Sequence, residues 1–175
     1  DHSVSHLMIK DVLPAMAGNE IIVLGDGHLR VYDTQFHMIW DTMVSTCDDM
    51  SMCISNLQGD GSLEIIVLGQ RLTIVDAATG IVDYVSEETS DCTGFASLVV
   101  QDIDADGTME IGALFDHQKL VIFDGQTMDQ EFILTDENLK SFTAATLSHE
   151  SSVPSILLIH ADYPHIIVLD GETRI

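Results

Sequence analysis

Basic side chains are scarce. Lys and Arg together number six against 29 Asp and Glu, for a formal charge of −23. Sequence-independent binding to DNA or RNA rests on basic contacts to phosphate. Docking on anionic lipid rests on basic patches. The composition argues against both, so neither a nucleic-acid partner nor membrane insertion is expected. Long hydrophobic runs are also missing. The longest, such as Ile21-Ile22-Val23-Leu24 and Ile156-Leu157-Leu158-Ile159, fall far short of the roughly 18 residues needed to span a bilayer. Aromatic residues make up only 6%. No Gly-x-Ser-x-Gly elbow for a nucleophilic serine occurs. Three cysteines cannot all pair internally, and no Cys-x₂-Cys pair suggests zinc.

What is present is apolar content of 46%, which excludes an acidic disordered tail. It is organised as a repeat. Glu20-Ile21-Ile22-Val23, Glu64-Ile65-Ile66-Val67, Glu110-Ile111-Gly112-Ala113 and Ser155-Ile156-Leu157-Leu158 recur at spacings of 44, 46 and 45 residues. A second phrase follows each: Val31-Tyr32-Asp33, Ile74-Val75-Asp76, Ile122-Phe123-Asp124 and Val168-Leu169-Asp170. The repeats run approximately 1–45, 46–91, 92–137 and 138–175.

The second repeat predicts four short strands, near Met52–Ser55, Glu64–Leu68, Leu72–Val75 and Ile81–Val85. Each is mostly apolar and bounded by Gly, Asp or Asn. No stretch carries a sustained helical period. Four antiparallel strands in about 45 residues is the signature of a β-propeller blade, whose faces are buried by stacking on other blades. The expected fold is therefore all-β, with about four blades. A β-sandwich of the same strands would not produce the repeat. The fourth repeat stops at Thr173-Arg174-Ile175, before a fourth strand. Three arrangements are open: a four-bladed ring with one thin blade, part of a larger ring, or copies that associate to complete one.

The sharpest chemical signal is Asp102-Ile103-Asp104-Ala105-Asp106-Gly107-Thr108-Met109-Glu110. Odd-numbered side chains in a tightly turning loop converge on one centre, and Ca²⁺ takes six to eight hard oxygens. Asp102, Asp104, Asp106 and Glu110 would supply carboxylates and Thr108 its carbonyl. An EF-hand requires Glu at position 12, where this chain has Ala113. A strand-flanked calcium loop fits better; the bland reading is an Asp-Gly turn with solvated carboxylates. Asn56, Gln58, Asp60, Ser62 and Glu64 stand in the same register in repeat 2 and form a weaker set. Repeats 1 and 4 lose the alternation, and no metal is expected there.

The phrase Asp-x-Asp-x-Asp-Gly-x-x-Glu-Ile, followed by a tight hairpin and an apolar-Asp turn, resembles the FG-GAP (VCBS) repeat family. Those repeats are the propeller blades of integrin α-subunit heads and many bacterial surface proteins. The resemblance implies calcium at Asp102, Asp104, Asp106, Thr108 and Glu110. A second resemblance is to quinoprotein-type propeller blades. It rests on Thr73-Ile74-Val75-Asp76-Ala77-Ala78-Thr79-Gly80 and on Val31-Tyr32-Asp33 before Met38-Ile39-Trp40. It implies that Trp40, near strand four, docks on the neighbouring blade. Tyr84 and Phe132 stand near that place in repeats 2 and 3.

His28, Arg71, Lys119 and His165 each precede the recurrent Asp by five residues and read as the solvated edge of strand three. His2 and His6 have helical ligand spacing but lie where a strand or frayed end is expected. Cys47 and Cys92 fall in corresponding connections, which leaves a bridge between them open. Cys53 reads as a buried thiol. The expected function is a calcium-binding propeller module for protein or glycan ligands at rim loops, extracellular or on a cell surface. The alternatives are a propeller of a secreted polysaccharide-active or redox enzyme, and an intracellular scaffold.

Overall fold

The computed structural model describes residues 4–92, 96–145, 155–160 and 166–170. Among the described residues there are fifteen β-strands and no helix, so no helix long and apolar enough to cross a membrane. Blade 1 comprises β1 (Val4–Lys10), β2 (Glu20–Gly25), β3 (His28–Tyr32) and β4 (Met38–Met43). Blade 2 comprises β5 (Ser51–Ser55), β6 (Glu64–Leu68), β7 (Leu72–Asp76) and β8 (Val82–Val85). Blade 3 comprises β9 (Ser97–Gln101), β10 (Glu110–Phe115), β11 (Lys119–Asp124) and β12 (Gln130–Thr135). Blade 4 has β13 (Leu139–Ala145), β14 (Ser155–His160) and β15 (Ile166–Asp170). Each blade is its own antiparallel sheet with strands in chain order. The strands of the second repeat fall where the sequence puts them, to within a residue.

The recurrent aspartate shapes the turn after the third strand of blades 1, 2 and 3. Asp33 Oδ1 accepts from the Gln35 and His37 N–H groups, each at 2.8 Å. Asp76 Oδ1 accepts from Thr79 N–H at 2.7 Å. Asp124 Oδ1 accepts from Gln126 and Thr127 N–H at 2.9 and 2.6 Å. A short carboxylate that bonds backbone two or three residues on substitutes for a backbone turn. The register also shifts at one place in each of these hairpins, at Val31/Tyr32, Ile74/Val75 and Ile122/Phe123. Such bulges increase the local twist.

The chain divides into two compact units. The first holds blades 1 and 2, less Leu57–Gly59. Its core joins Ile22, Leu24, Leu29 and Val31 of blade 1 to Met52, Ile54, Ile65, Val67, Val75 and Ala77 of blade 2. Alternate residues point to opposite faces of a strand, so the pattern in β2 and β3 selects which face meets blade 2. Each fully buried aliphatic side chain contributes about 1.5–3 kcal/mol. Trp40 on β4 docks on the blade 2 turn, where its Nε1–H donates to the Ala77 carbonyl at 3.1 Å. Gly80 admits the ring: its φ is +73°, and an added Cβ would sit 2.7 Å from Trp40.

A disulfide joins Cys47 to Cys92, Cα atoms 5.1 Å apart. Cys47 precedes β5 and Cys92 follows β8, so the bridge encloses blade 2. Around it runs a serine seam. Ser45 Oγ accepts from Arg71 N–H at 3.0 Å, and buried Ser86 Oγ accepts from Leu72 N–H at 3.1 Å. Arg71 is not at a solvated edge as its position suggested. It is half-buried, and its guanidinium donates to the Ser86 carbonyl at 2.7 Å.

The second unit holds blades 3 and 4. Its core joins Leu114, Leu120 and Ile122 to Leu139, Phe142, Ala144, Ile156 and Leu158. Gly112 interrupts the apolar phrase for a steric reason: a Cβ there would lie 2.5 Å from the Phe142 ring. Phe132 packs on this core from β12.

Candidate metal centre

The β9–β10 connection carries the acidic loop. Ile103 anchors it as a fully buried side chain, and the chain then turns at Ala105 (φ +61°) and Gly107 (φ +94°). Left-handed backbone at Ala105 is strained, whereas glycine adopts it without a Cβ clash. Three N–H groups are held by the loop's own carboxylates: Asp106 N–H by Asp104 Oδ1 at 3.2 Å, Gly107 N–H by Asp102 Oδ2 at 3.1 Å, and Thr108 N–H by Asp106 Oδ1 at 2.7 Å.

This folding brings Asp102, Asp104, Asp106 and Glu110 together, with one carboxylate oxygen from each within 4.8 Å of the others. Oxygens on opposite sides of a Ca²⁺ ion are about 4.6–5.2 Å apart, so the four fit one calcium shell. Two unit charges at that separation repel by about 3 kcal/mol at an effective dielectric of 20; a divalent cation at the centre reverses the sign. Asp102 Oδ1 is buried with no hydrogen-bond partner. A buried carboxylate oxygen left without a donor carries a desolvation cost that a cation offsets. The donor set therefore fits Ca²⁺.

The loop of blade 2 has the same backbone. Gly59 and Gly61 stand where Ala105 and Gly107 do, with φ of +69° and +93°. Leu57 is buried like Ile103, and Ser62 N–H is held by Asp60 Oδ1 at 2.8 Å, as Thr108 N–H is by Asp106. Asn56 Oδ1, in the place of Asp102 Oδ1, is likewise buried with no hydrogen-bond partner. Asn56, Asp60, Ser62 and Glu64 belong to the first unit, and Gln58 to the second.

The repeating glutamate has a role that the metal reading did not include. Glu20 is buried in blade 1, where no acidic loop exists. Its Oε2 accepts from Val12 and Leu13 N–H at 2.9 and 3.1 Å. Glu110, equally buried, accepts from Ile103 N–H through Oε2. The glutamate thus locks the connection to the second strand whether or not the loop can hold metal. Its presence in repeat 1 without the Asp alternation was the available signal.

Other polar groups pair locally. His28 Nδ1 lies 2.6 Å from Asp41 Oδ1, and Arg30 Nε donates to Asp41 Oδ2 at 3.3 Å. Partial burial pushes the Asp41 carboxyl up, but these hydrogen bonds outweigh it and leave its pKa below the ordinary value. His6 lies in β1, so it has no helical pairing; His2 and His165 lie outside the described residues. Cys53 is half-buried in β5, and burial raises its thiol pKa. A cleft of about 700 Å³ in the first unit is bordered by Asp26, Thr46, Asp48 and the Cys47–Cys92 bridge.

No protein-family model matches the sequence, and no curated relative matches it. Solved structures do match. BBS1N in complex with ARL6DN aligns at a TM-score of 0.62 with 8% identity, over 98% of this chain and 50% of its own. BamB from Moraxella catarrhalis aligns at 0.54 with 11% identity, over 90% of this chain and 40% of its own. A protein of unknown function from Bacteroides caccae aligns at 0.53 with 13% identity, over 99% of this chain and 59% of its own. At these identities the likeness shows fold alone. The fold is all-β and built of β-propeller blades. The chain spans about half the length of the solved chains it matches.

Proposed function

We propose that this chain is a calcium-binding β-propeller module that presents rim loops to a protein ligand, in the manner of FG-GAP-type repeats. The observation that carries the reading is the Asp102–Asp104–Asp106–Glu110 cluster with the orphaned, buried Asp102 Oδ1. Bound calcium stiffens the β9–β10 connection and relieves the repulsion among its carboxylates. The protein-binding role is supported by the fold: BBS1N, a structural match, was crystallised with a protein partner, ARL6DN. The acidic cleft beside Asp26 and Asp48 suits a basic side chain of such a ligand. An extracellular or cell-surface setting is supported by the Cys47–Cys92 bridge, since disulfides persist in oxidising compartments, and by the plentiful calcium there.

Isothermal titration of the metal-stripped chain tests the reading. Calcium binds with a stoichiometry of at least one, and Asp104→Ala removes the tightest site. Unchanged binding in Asp104→Ala would overturn the ligand assignment.

A further inference from the structure

The Cys47–Cys92 bridge lines an open cleft. The cleft, about 700 Å³ within the first unit, is bordered by Asp26, Thr46, Asp48, Met50 and both cysteines. Cavities of that size accept small molecules. Both bridge residues are half-buried, so a solute in the cleft reaches sulfur. Cys92 also holds a left-handed backbone, with φ of +59°. That conformation is strained for a residue with a side chain, and it persists only where the surroundings impose it. Here the bridge imposes it, together with the bond from Cys92 N–H to Ser90 Oγ at 2.8 Å. Strained, accessible disulfides are the ones that exchange with external thiols.

The two sulfurs are not equivalent. Buried Ser90 Oγ lies 3.8 Å from Cys47 Sγ. A bridged sulfur has no proton, so the hydroxyl is the donor there. Cys92 Sγ instead lies 3.3 Å from the Thr46 carbonyl oxygen. Negative charge that develops on a leaving sulfur is therefore stabilised at Cys47 and opposed at Cys92. An incoming thiolate attacks Cys92, and Cys47 leaves.

Local charge selects the thiol. Asp26 and Asp48 on the border are both exposed. Asp49 and Asp91, also exposed, adjoin Asp48 and Cys92 in sequence. Among the described residues that border the cleft, none is Lys, Arg or His. A thiolate with further negative charge is repelled by this border. One that carries an ammonium group is attracted to it.

We propose that the Cys47–Cys92 bridge is an exchange site for small thiols that bear a positive charge. The incoming thiolate sulfur bonds to Cys92 Sγ and the S–S bond of the bridge breaks. Its electron pair leaves on Cys47 Sγ, which takes a proton from water. The incoming sulfur is oxidised and Cys47 is reduced. The product carries a mixed disulfide at Cys92 and a thiol at Cys47. The site does not depend on the calcium reading.

The test treats the folded, oxidised chain with millimolar cysteamine, 2-mercaptoethanol or glutathione. Mass spectrometry after acid quenching and alkylation follows the adduct. Each rate is divided by that thiol's rate with a neutral small disulfide, which removes differences in intrinsic reactivity. Cysteamine should then exceed glutathione, whose net charge is negative, by about tenfold or more, with 2-mercaptoethanol between them. High salt should narrow the ratio. Asp26→Asn with Asp48→Asn should bring it within about threefold. Peptide mapping at early times should place the adduct on Cys92 and the alkyl group on Cys47. Rates should rise in proportion to thiol, whereas exchange by way of unfolding levels off. If the double variant does not fold, the wild-type thiol series and the map still decide. Equal normalised rates, an adduct on Cys47, or exchange that levels off with thiol would overturn the proposal.

Discussion

Replacing Cys47 and Cys92 together by Ser removes the crosslink around blade 2. The closed loop spans 45 residues, one full blade repeat. In the chain-entropy treatment a loop of that size lowers the entropy of the unfolded chain by about 13 cal/mol/K, or about 4 kcal/mol at 25 °C. The folded ends do not depend on the bridge. Ser90 N–H donates to the Gln70 carbonyl at 2.7 Å, and Cys92 N–H to Ser90 Oγ at 2.8 Å. Ser45 and Arg71 hold the other side. The substitution therefore acts mainly on the unfolded state, which expands. Urea unfolding of the double variant should show a loss of about 4 kcal/mol with a steeper denaturant slope. For a chain of this size each kcal/mol is worth about 2–4 °C, so Tm falls by roughly 8–16 °C. A reductant should reproduce the shift in the wild type. A loss below about 1 kcal/mol, with no response of the wild type to reductant, would refute the reasoning.

The glutamate pair separates metal binding from loop locking. Glu110→Gln keeps a carbonyl acceptor for Ile103 N–H but removes a charge, so calcium affinity by titration should fall about tenfold or more while the apo fold persists; Glu20→Gln should leave calcium affinity unchanged. Gly80→Ala meets both backbone strain and the Trp40 ring at 2.7 Å, and should cost about 2–4 kcal/mol in urea unfolding. Gly59→Ala, at a similar φ with nothing within 4 Å, should cost only about 1 kcal/mol, since Ala105 occupies the equivalent position. Burial and neighbouring Asp76 raise the Asp83 pKa above its ordinary value. Asp83 is protonated in both states at low pH and harder to ionise when folded, so it lowers stability as pH rises through the unfolded value, about 3.9. Asp83→Asn should therefore raise Tm at neutral pH, and the gain should disappear below about pH 4 in a series of melts.

The blades were legible because two signals reinforce each other: short, mostly apolar runs and turn residues, both recurring at a fixed repeat distance. Trp40 was legible as a docking residue from its place near strand four, and the Asx turns from the recurrent Asp. The backbone-locking role of Glu110 was not. Whether a carboxylate faces a metal or a backbone N–H depends on the path of the preceding loop, and sequence spacing leaves that path undefined. The two loops were legible as being in one register, but their shared backbone was not, because Ala105 does not announce the left-handed conformation that Gly59 permits. Arg71 was misjudged for a related reason: its acceptor, the Ser86 carbonyl, lies 15 residues away and is a backbone group of no particular sequence. The Cys47–Cys92 pairing was left open by sequence, since corresponding connections need not be adjacent ones; here their Cα atoms lie 5.1 Å apart.

The central claim is that the β9–β10 loop is a structural calcium site. The most direct measurement is a thermal melt of metal-stripped protein without metal, with millimolar Ca²⁺ and with millimolar Mg²⁺. A ligand that binds only the folded state adds about 2.7 kcal/mol at a hundredfold excess over its dissociation constant. The account predicts a Ca²⁺-selective rise in Tm that Asp104→Ala abolishes. An equal response to both ions, or none to either, would contradict it and reduce the loop to an acidic turn.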